Sequence, residues 1–155
     1  MPQDTRLARL VHVLLHMHLH GGTTTSETIA QMLHTNPVVV RRTMAGLREA
    51  GHVVSTGGRG GGWSLAADFG TLTVADVYRA MEPSRPFAFG PASDNPACPV
   101  EAATNRFLAQ AMDSAEQALL AQLAGKRLME LAEELRSQHP APATPTKKAA
   151  PRSKG

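Results

Sequence analysis

Residues 36–65 read NPVVVRRTMAGLREAGHVVSTGGRGGGWSL, and the local signals in that run point to a helix followed by a β-hairpin. Asn36 is an N-cap residue, and Pro37 falls at the first helical position, where its missing N–H removes nothing the helix would use. Val40, Met44 and Leu47 then recur at helical spacing and give the helix one apolar face, until Gly51, able to adopt a left-handed conformation, ends it near Ala50. His52 to Thr56 holds β-branched residues, Gly57 to Gly62 is almost all glycine, and Trp63, Ser64 and Leu65 resume an extended pattern. Strand, tight loop and strand make a hairpin.

Upstream, Thr24 and Glu27 have the T-x-x-E spacing of a capping box, which opens a short helix with Ile29, Ala30 and Leu33 inward, ending near His34. Two helices joined by about three residues are a helix-turn-helix, and a hairpin directly after one is a wing. Before them, Arg6 to His20 carries Leu7, Leu10, Val11, Leu14 and Leu15 at helical spacing, and Gly21 and Gly22 stop it.

Downstream, Thr73 and Asp76 form a second capping box, opening a helix through Val74, Val77 and Met81 that halts at Pro83. Pro83, Pro86, Pro91 and Pro96, with Gly90 and Asn95, make the next stretch a loop. Pro99 starts the longest helical pattern, reaching Ala124 with Val100, Ala103, Phe107, Ala111, Ala115 and Leu119 along one stripe and Leu108 beside Phe107. Such a helix is about 39 Å long at 1.5 Å per residue, more than one small core covers. A second copy of the chain is the expected partner for Val100, Phe107, Leu108, Ala111, Ala115 and Leu119. Gly125 interrupts the pattern, Leu128, Leu131, Ala132 and Leu135 mark a final short helix, and Pro, Ala, Thr, Lys and Ser dominate beyond Pro140. The expected organisation is a winged helix-turn-helix at 1–82, a proline-rich loop at 83–98, a dimerisation helix with a short final helix at 99–138, and a disordered basic tail at 139–155.

Composition agrees with a mainly α fold. The 155 residues suit one domain with an appended assembly element, and 42% hydrophobic residues against 4% aromatic ones imply a core of Leu, Val, Ile, Met and Ala. The net charge of +3 is unevenly spread: residues 1–63 hold six arginines against the three acids Asp4, Glu27 and Glu49, whereas 64–138 hold ten acidic and six basic residues. A basic half followed by an acidic one fits a DNA-contacting module joined to an assembly module. No apolar run long enough for a membrane span or signal-peptide core occurs in residues 1–20, so a cytoplasmic protein with no membrane partner is expected. Cys98 is the sole cysteine, which excludes a disulfide or a multi-thiolate metal site within one chain.

Several strings in this order match a known pattern: NPVVVRR from Asn36, G-x-VVS from Gly51, GGGWSLA from Gly60, LTVADV from Leu72, and CPV from Cys98 before a long helix. Over about residues 5–136 the chain resembles the Rrf-two (Rrf2) family of bacterial winged-helix transcription regulators. The resemblance implies a homodimer whose long C-terminal helices pair and place two winged domains on a palindromic operator in double-stranded DNA, usually as a repressor. Two features depart from the family. Members with an iron–sulfur cluster carry three cysteines around the loop before the long helix, where this chain has Cys98 alone; no cofactor is expected. The family's wing often carries a basic residue at the position of Gly57, whereas here Arg59 lies two residues later.

The first turns of a recognition helix enter the major groove, so its outward side chains must reach base edges or phosphates. With Val40, Met44 and Leu47 inward, Val38, Val39, Arg41, Arg42 and Ala45 lie nearer the outside, and Arg48 follows a turn later. Arginine reads guanine through O6 and N7, and Val38 suits a thymine methyl. Arg59 sits among glycines that permit a tight hairpin tip able to approach the backbone or a narrow minor groove. The expected DNA-contacting set is Thr25, Asn36, Val38, Val39, Arg41, Arg42, Arg48, Arg59 and Gly60. The glycine run is not a nucleotide-binding loop, because it neither opens a helix nor leads into Gly-Lys-Ser/Thr.

His12, His16 and His20 share one helix face, with His18 on another, but no cysteine or carboxylate pair nearby completes a metal site, and none is expected. Cys98 precedes Pro99 at the N-cap of the long helix, where the dipole favours thiolate, and is the candidate redox or electrophile sensor; an inert loop cysteine is the plain alternative. No catalytic constellation appears, so no enzyme is expected. The leading expectation is a DNA-binding repressor; the alternative is an adaptor that docks on a partner enzyme with DNA binding secondary.

Overall fold

The computed structural model describes residues 4–66, 69–82 and 90–138. Its elements run α1 (Arg6–His20), α2 (Ser26–Met32), α3 (Pro37–Glu49), β1 (Val53–Thr56), β2 (Gly62–Leu65), α4 (Val74–Ala80), α5 (Pro99–Ala124) and α6 (Leu128–Gln138). The fold is mainly helical, with one two-stranded antiparallel sheet in which Val53 pairs with Leu65 and Thr56 with Gly62. This is the winged helix-turn-helix expected from the sequence.

The core gathers around α1, whose Leu10, Val13, Leu14 and Met17 form one buried face. That face meets Ile29 of α2, Val40, Met44 and Leu47 of α3, Val53 and Trp63 of the wing, and Val77 of α4. Burying such side chains stabilises by about 1.5–3 kcal/mol each, so the pattern of Val40, Met44 and Leu47 locks the rotation of α3 and fixes which of its residues face outward. Gly46 lets α3 approach the end of α4: a Cβ there would stand 2.1 Å from the Ala80 carbonyl oxygen.

The start of α2 differs from the expected capping box. Thr24 is committed to the wing, its N–H donating to the Trp63 carbonyl at 2.9 Å and its own carbonyl accepting from the Trp63 N–H at 2.8 Å. Held extended in this way, Thr24 cannot cap, and Thr25 does so instead, its Oγ1 accepting from the Thr28 N–H at 3.1 Å. Glu27 therefore makes no reciprocal bond to a cap and lies 3.8 Å from Arg41. The helix ends at Met32, and His34 turns the chain with φ 50. The box at Thr73 forms as expected, with both reciprocal bonds to Asp76.

The C-terminal half has two unlike parts. α5 has no buried residue, whereas α6 packs on α1 and buries Leu128 and Ala132 completely. The Val74 N–H donates to the Lys126 carbonyl at 3.0 Å and the Leu128 N–H to the Leu72 carbonyl at 2.9 Å, tying the chain after α5 to the start of α4. The short final helix expected after Gly125 forms as α6, and its apolar face finds cover in the winged domain. Residues 83–89 of the expected loop and the expected tail at 139–155 lie outside the described residues. Residues 90–98 fold back on α5, where the Asn105 side chain accepts from the Ala92 N–H at 3.0 Å and donates to its carbonyl at 2.9 Å.

Candidate nucleic-acid interface

Asn36 sets the start of α3. Its Oδ1 accepts from the N–H groups of Val38 at 3.1 Å and Val39 at 3.0 Å, and Pro37 needs no partner. The cap consumes the Asn36 oxygen and leaves its Nδ2 donors outside the cap. Val38 is 67% exposed and Val39 41%, unusual for valines of a short helix with a full core beneath it. Arg41, Arg42 and Arg48 are exposed as well. Arg41 pairs with Glu27 at 3.8 Å across two exposed side chains, an interaction worth at most about 1 kcal/mol. Among the described residues, Arg42, Arg48 and Arg59 have no ion-pair partner. These cations stand ready for a polyanion.

The wing is built by glycine. Gly58 and Gly60 have φ 85 and φ 78, a conformation that L side chains resist by about 1–2 kcal/mol. Gly61 sits so close to Thr56 that a Cβ would fall 2.3 Å from its carbonyl oxygen. Arg59 is held exposed between Gly58 and Gly60.

Sequence reasoning missed what fixes the wing against the helix-turn-helix. The Trp63 indole Nε1–H donates to the Ser26 hydroxyl at 3.0 Å inside the core, and the backbone bridge from Trp63 to Thr24 lies just before it. A Cβ on Gly62 would collide with the Thr24 carbonyl oxygen at 2.6 Å. The one signal available was Trp63 itself, an indole whose N–H must find an acceptor when buried. The clamp joins β2 to the first turn of α2 and so ties the wing to the helix-turn-helix. Thr25 lies beside this joint, its hydroxyl already bonded to the Thr28 N–H and 3.0 Å from the Thr28 hydroxyl.

The remaining candidate residues lie elsewhere. Val100, Phe107, Leu108, Ala111 and Ala115 are exposed along α5, with Phe107 at 67%, and Leu119 is half-buried. Cys98 is the N-cap of α5, part-exposed, with no side-chain cap bond. His12, His16 and His20 follow one another along α1, the first two rings tilted with centroids 4.7 Å apart and the last two stacked at 5.5 Å, and burial, then His12 and His20, lower the pKa of His16. His18 lies instead on Phe69 at 4.3 Å.

A family model described as "Iron-dependent Transcriptional regulator", Rrf2, matches residues 3–134. The chain is 33% identical over 128 residues to YwnA of Bacillus subtilis (strain 168), named as an HTH-type transcriptional regulator, covering 83% of this chain and 95% of the relative. A solved structure described as a DNA binding protein is 33% identical, with a TM-score of 0.66, covering 81% of this chain and 97% of its own. That of a transcriptional regulator from Lactobacillus plantarum has a TM-score of 0.72 at 23% identity, covering 89% and 93%, a likeness of fold alone. The iron in the family's description does not fit the donors here: Cys98 is the sole cysteine, and among the described residues no group of three His, Cys, Asp or Glu side chains could hold a metal ion. Among the described residues no helix is long and apolar enough to cross a membrane. The chain belongs to the Rrf2 family of transcriptional regulators, a DNA-binding regulator and not an enzyme.

Proposed function

We propose that this protein acts as a cytoplasmic homodimeric repressor that binds a palindromic operator without a cofactor, with α3 in the major groove and Arg59 of the wing at the adjacent minor groove or backbone. The observation that carries this reading is the joint one at α3 and the wing: a capped helix exposes Val38, Val39, Arg41 and Arg42, and a buried clamp ties the wing that carries Arg59 to the helix-turn-helix. Thr25, Asn36, Arg48 and Gly60 complete the contact set, placing polar side chains and backbone N–H groups toward phosphates. The exposed stripe of α5 is the pairing surface, since a helix of 26 residues with nothing buried needs cover from outside its own chain.

Cys98 supplies the signal in this proposal. Its thiol is part-exposed at the N-cap of α5 and held by no side-chain cap bond, and modification there alters how paired α5 helices hold the two winged domains. Fluorescence anisotropy on operator and scrambled duplexes tests the DNA face. Arg42→Ala is expected to cost about 1–3 kcal/mol on the operator and relax sequence preference. Arg59→Ala is expected to weaken both duplexes alike and flatten the salt dependence. Unchanged affinity in both variants overturns the DNA face and favours the adaptor. A Cys98→Ser protein that still loses operator affinity on oxidation places the signal elsewhere.

A further inference from the structure

We propose that the groove between α1, α2, α3 and the end of α4 binds a small organic monocarboxylate, and that its occupation competes with DNA for Arg42. The competing half rests on the proposed DNA face; the binding half does not.

The groove has a volume of about 620 Å³, and small-molecule sites run roughly 300–1,000 Å³. Leu33, Val39 and Met81 give it an apolar wall, with Leu10 and Met44 of the core as its floor. Two helices bring unpaired cations to it: Arg9 from α1 and Arg42 from α3, neither with an ion-pair partner among the described residues. Arg6, on the same lining, is already held by Asp4 at 2.6 Å.

Glu49 and Glu82 also line the groove. Glu49 lies seven residues beyond Arg42 on α3, about 10 Å at 1.5 Å per residue. Neither Glu49 nor Glu82 forms an ion pair with Arg9 or Arg42 among the described residues, and Gly46, between Arg42 and Glu49 on α3, contributes no side chain. One carboxylate on an apolar body shorter than that span meets Arg9 and Arg42 with its head and the wall with its body. A second carboxylate at the far end of the body is carried toward Glu49 and repelled. The ligand class is thus a monocarboxylate of medium length, not a dicarboxylate or a neutral amphiphile.

Val39 and Arg42 belong both to this lining and to the proposed DNA face. An anion on Arg42 removes the donor that a guanine or phosphate would use, so ligand and operator weaken each other by the same factor.

Titration calorimetry of the full chain with octanoate is the direct test, with octanamide and the dicarboxylate suberate as comparisons. Saturable binding of octanoate with one site per chain is expected, at least tenfold tighter than either comparison. Arg9→Gln is expected to weaken octanoate at least tenfold and leave operator affinity unchanged, while octanoate lowers operator affinity in the parent and not in the variant. No saturable binding, or equal binding of octanoate and octanamide, overturns the site, and both comparisons use the parent protein, so they stand even if the variant misfolds. Octanoate binding with no effect on operator affinity overturns only the competition. Loss of operator binding by the parent without any ligand would instead strike at the DNA face.

Discussion

α3 and α5 both begin with proline after a residue in extended conformation, and there the likeness ends. α3 is 13 residues long, is capped by the Asn36 side chain and buries Val40, Met44 and Leu47. α5 is 26 residues long, has no side-chain cap bond from Cys98 and buries nothing. A helix gains most of its stability from packing an amphipathic face, and isolated helices are marginal in water. α3 is complete within its chain; α5 is tied at its ends by the winged domain and by the clasp of Asn105 on Ala92, and no residue along it is buried. The contrast separates residues that hold the winged domain together from residues that α5 leaves uncovered.

The largest effect is expected beyond α5, not before it. Leu128 is fully buried against α1, so Leu128→Ala should cost about 2–5 kcal/mol of stability, read as a fall in the denaturant midpoint. A change below about 1 kcal/mol would mean that α6 is peripheral to the core. Because α6 shares the core, truncation after Pro91 removes Leu128 and Ala132 along with α5 and confounds assembly with folding.

Phe107→Glu tests α5 alone. Phe107 is 67% exposed, so the charge leaves the single chain intact but lands in the proposed pairing surface, where loss of a central aromatic costs about 2 kcal/mol or more. Sedimentation is expected to show a dimer for the parent and at least a tenfold weaker dimer for the variant, with the melting curve of the winged domain retained. A monomeric parent at micromolar concentration breaks the comparison outright.

The two N-caps sharpen it on a smaller scale. Asn36→Ala removes the acceptor of two backbone N–H groups and should cost about 1 kcal/mol. Cys98→Ala removes no cap bond and should change stability by under about 0.5 kcal/mol. Equal losses in thermal denaturation would show that the α5 cap is structural.

Much of this was legible in the residues. Asn36-Pro37, the Val40, Met44, Leu47 spacing, Gly51 with its φ of 79, and the Thr73/Asp76 box are local devices, and each formed where its spacing indicated. The failures were non-local. Thr24 and Glu27 have the spacing of a box, but a hydrogen bond to Trp63, far along the chain, took Thr24 first. The break at Gly125 and the short helix carrying Leu128 and Ala132 are legible locally, but that this helix packs on α1 is not. In the candidate site, exposed Arg42 and Arg59 follow from periodicity and glycine content, whereas the Trp63–Ser26 clamp depends on the tertiary fold and has no spacing to betray it.

The smallest expected effect lies at the joint where the chain after α5 rejoins the winged domain. Thr73 bridges to Arg127 there and caps α4 with Asp76. Burial works to raise the Asp76 pKa, but bonds from the Thr73 hydroxyl at 2.6 Å and N–H at 2.9 Å, with the charges of Arg79 and His52, outweigh it and hold the carboxyl below its ordinary value. A depressed carboxyl stabilises the fold above its unfolded pKa, near 3.9, and that stability drains away as pH falls through the lower folded value. His16 and His18 are also depressed, by burial first, and lose their contribution in a higher window, below the ordinary imidazole value. The difference between parent and Asp76→Asn in urea unfolding therefore isolates the carboxyl. It is expected to be under about 1 kcal/mol at pH 7 for a part-exposed cap, constant down to about pH 4 and shrinking below that. A difference that stays flat to pH 2 would mean that the carboxyl's charge contributes nothing at this joint, and that packing of Leu128 alone returns the chain to α1.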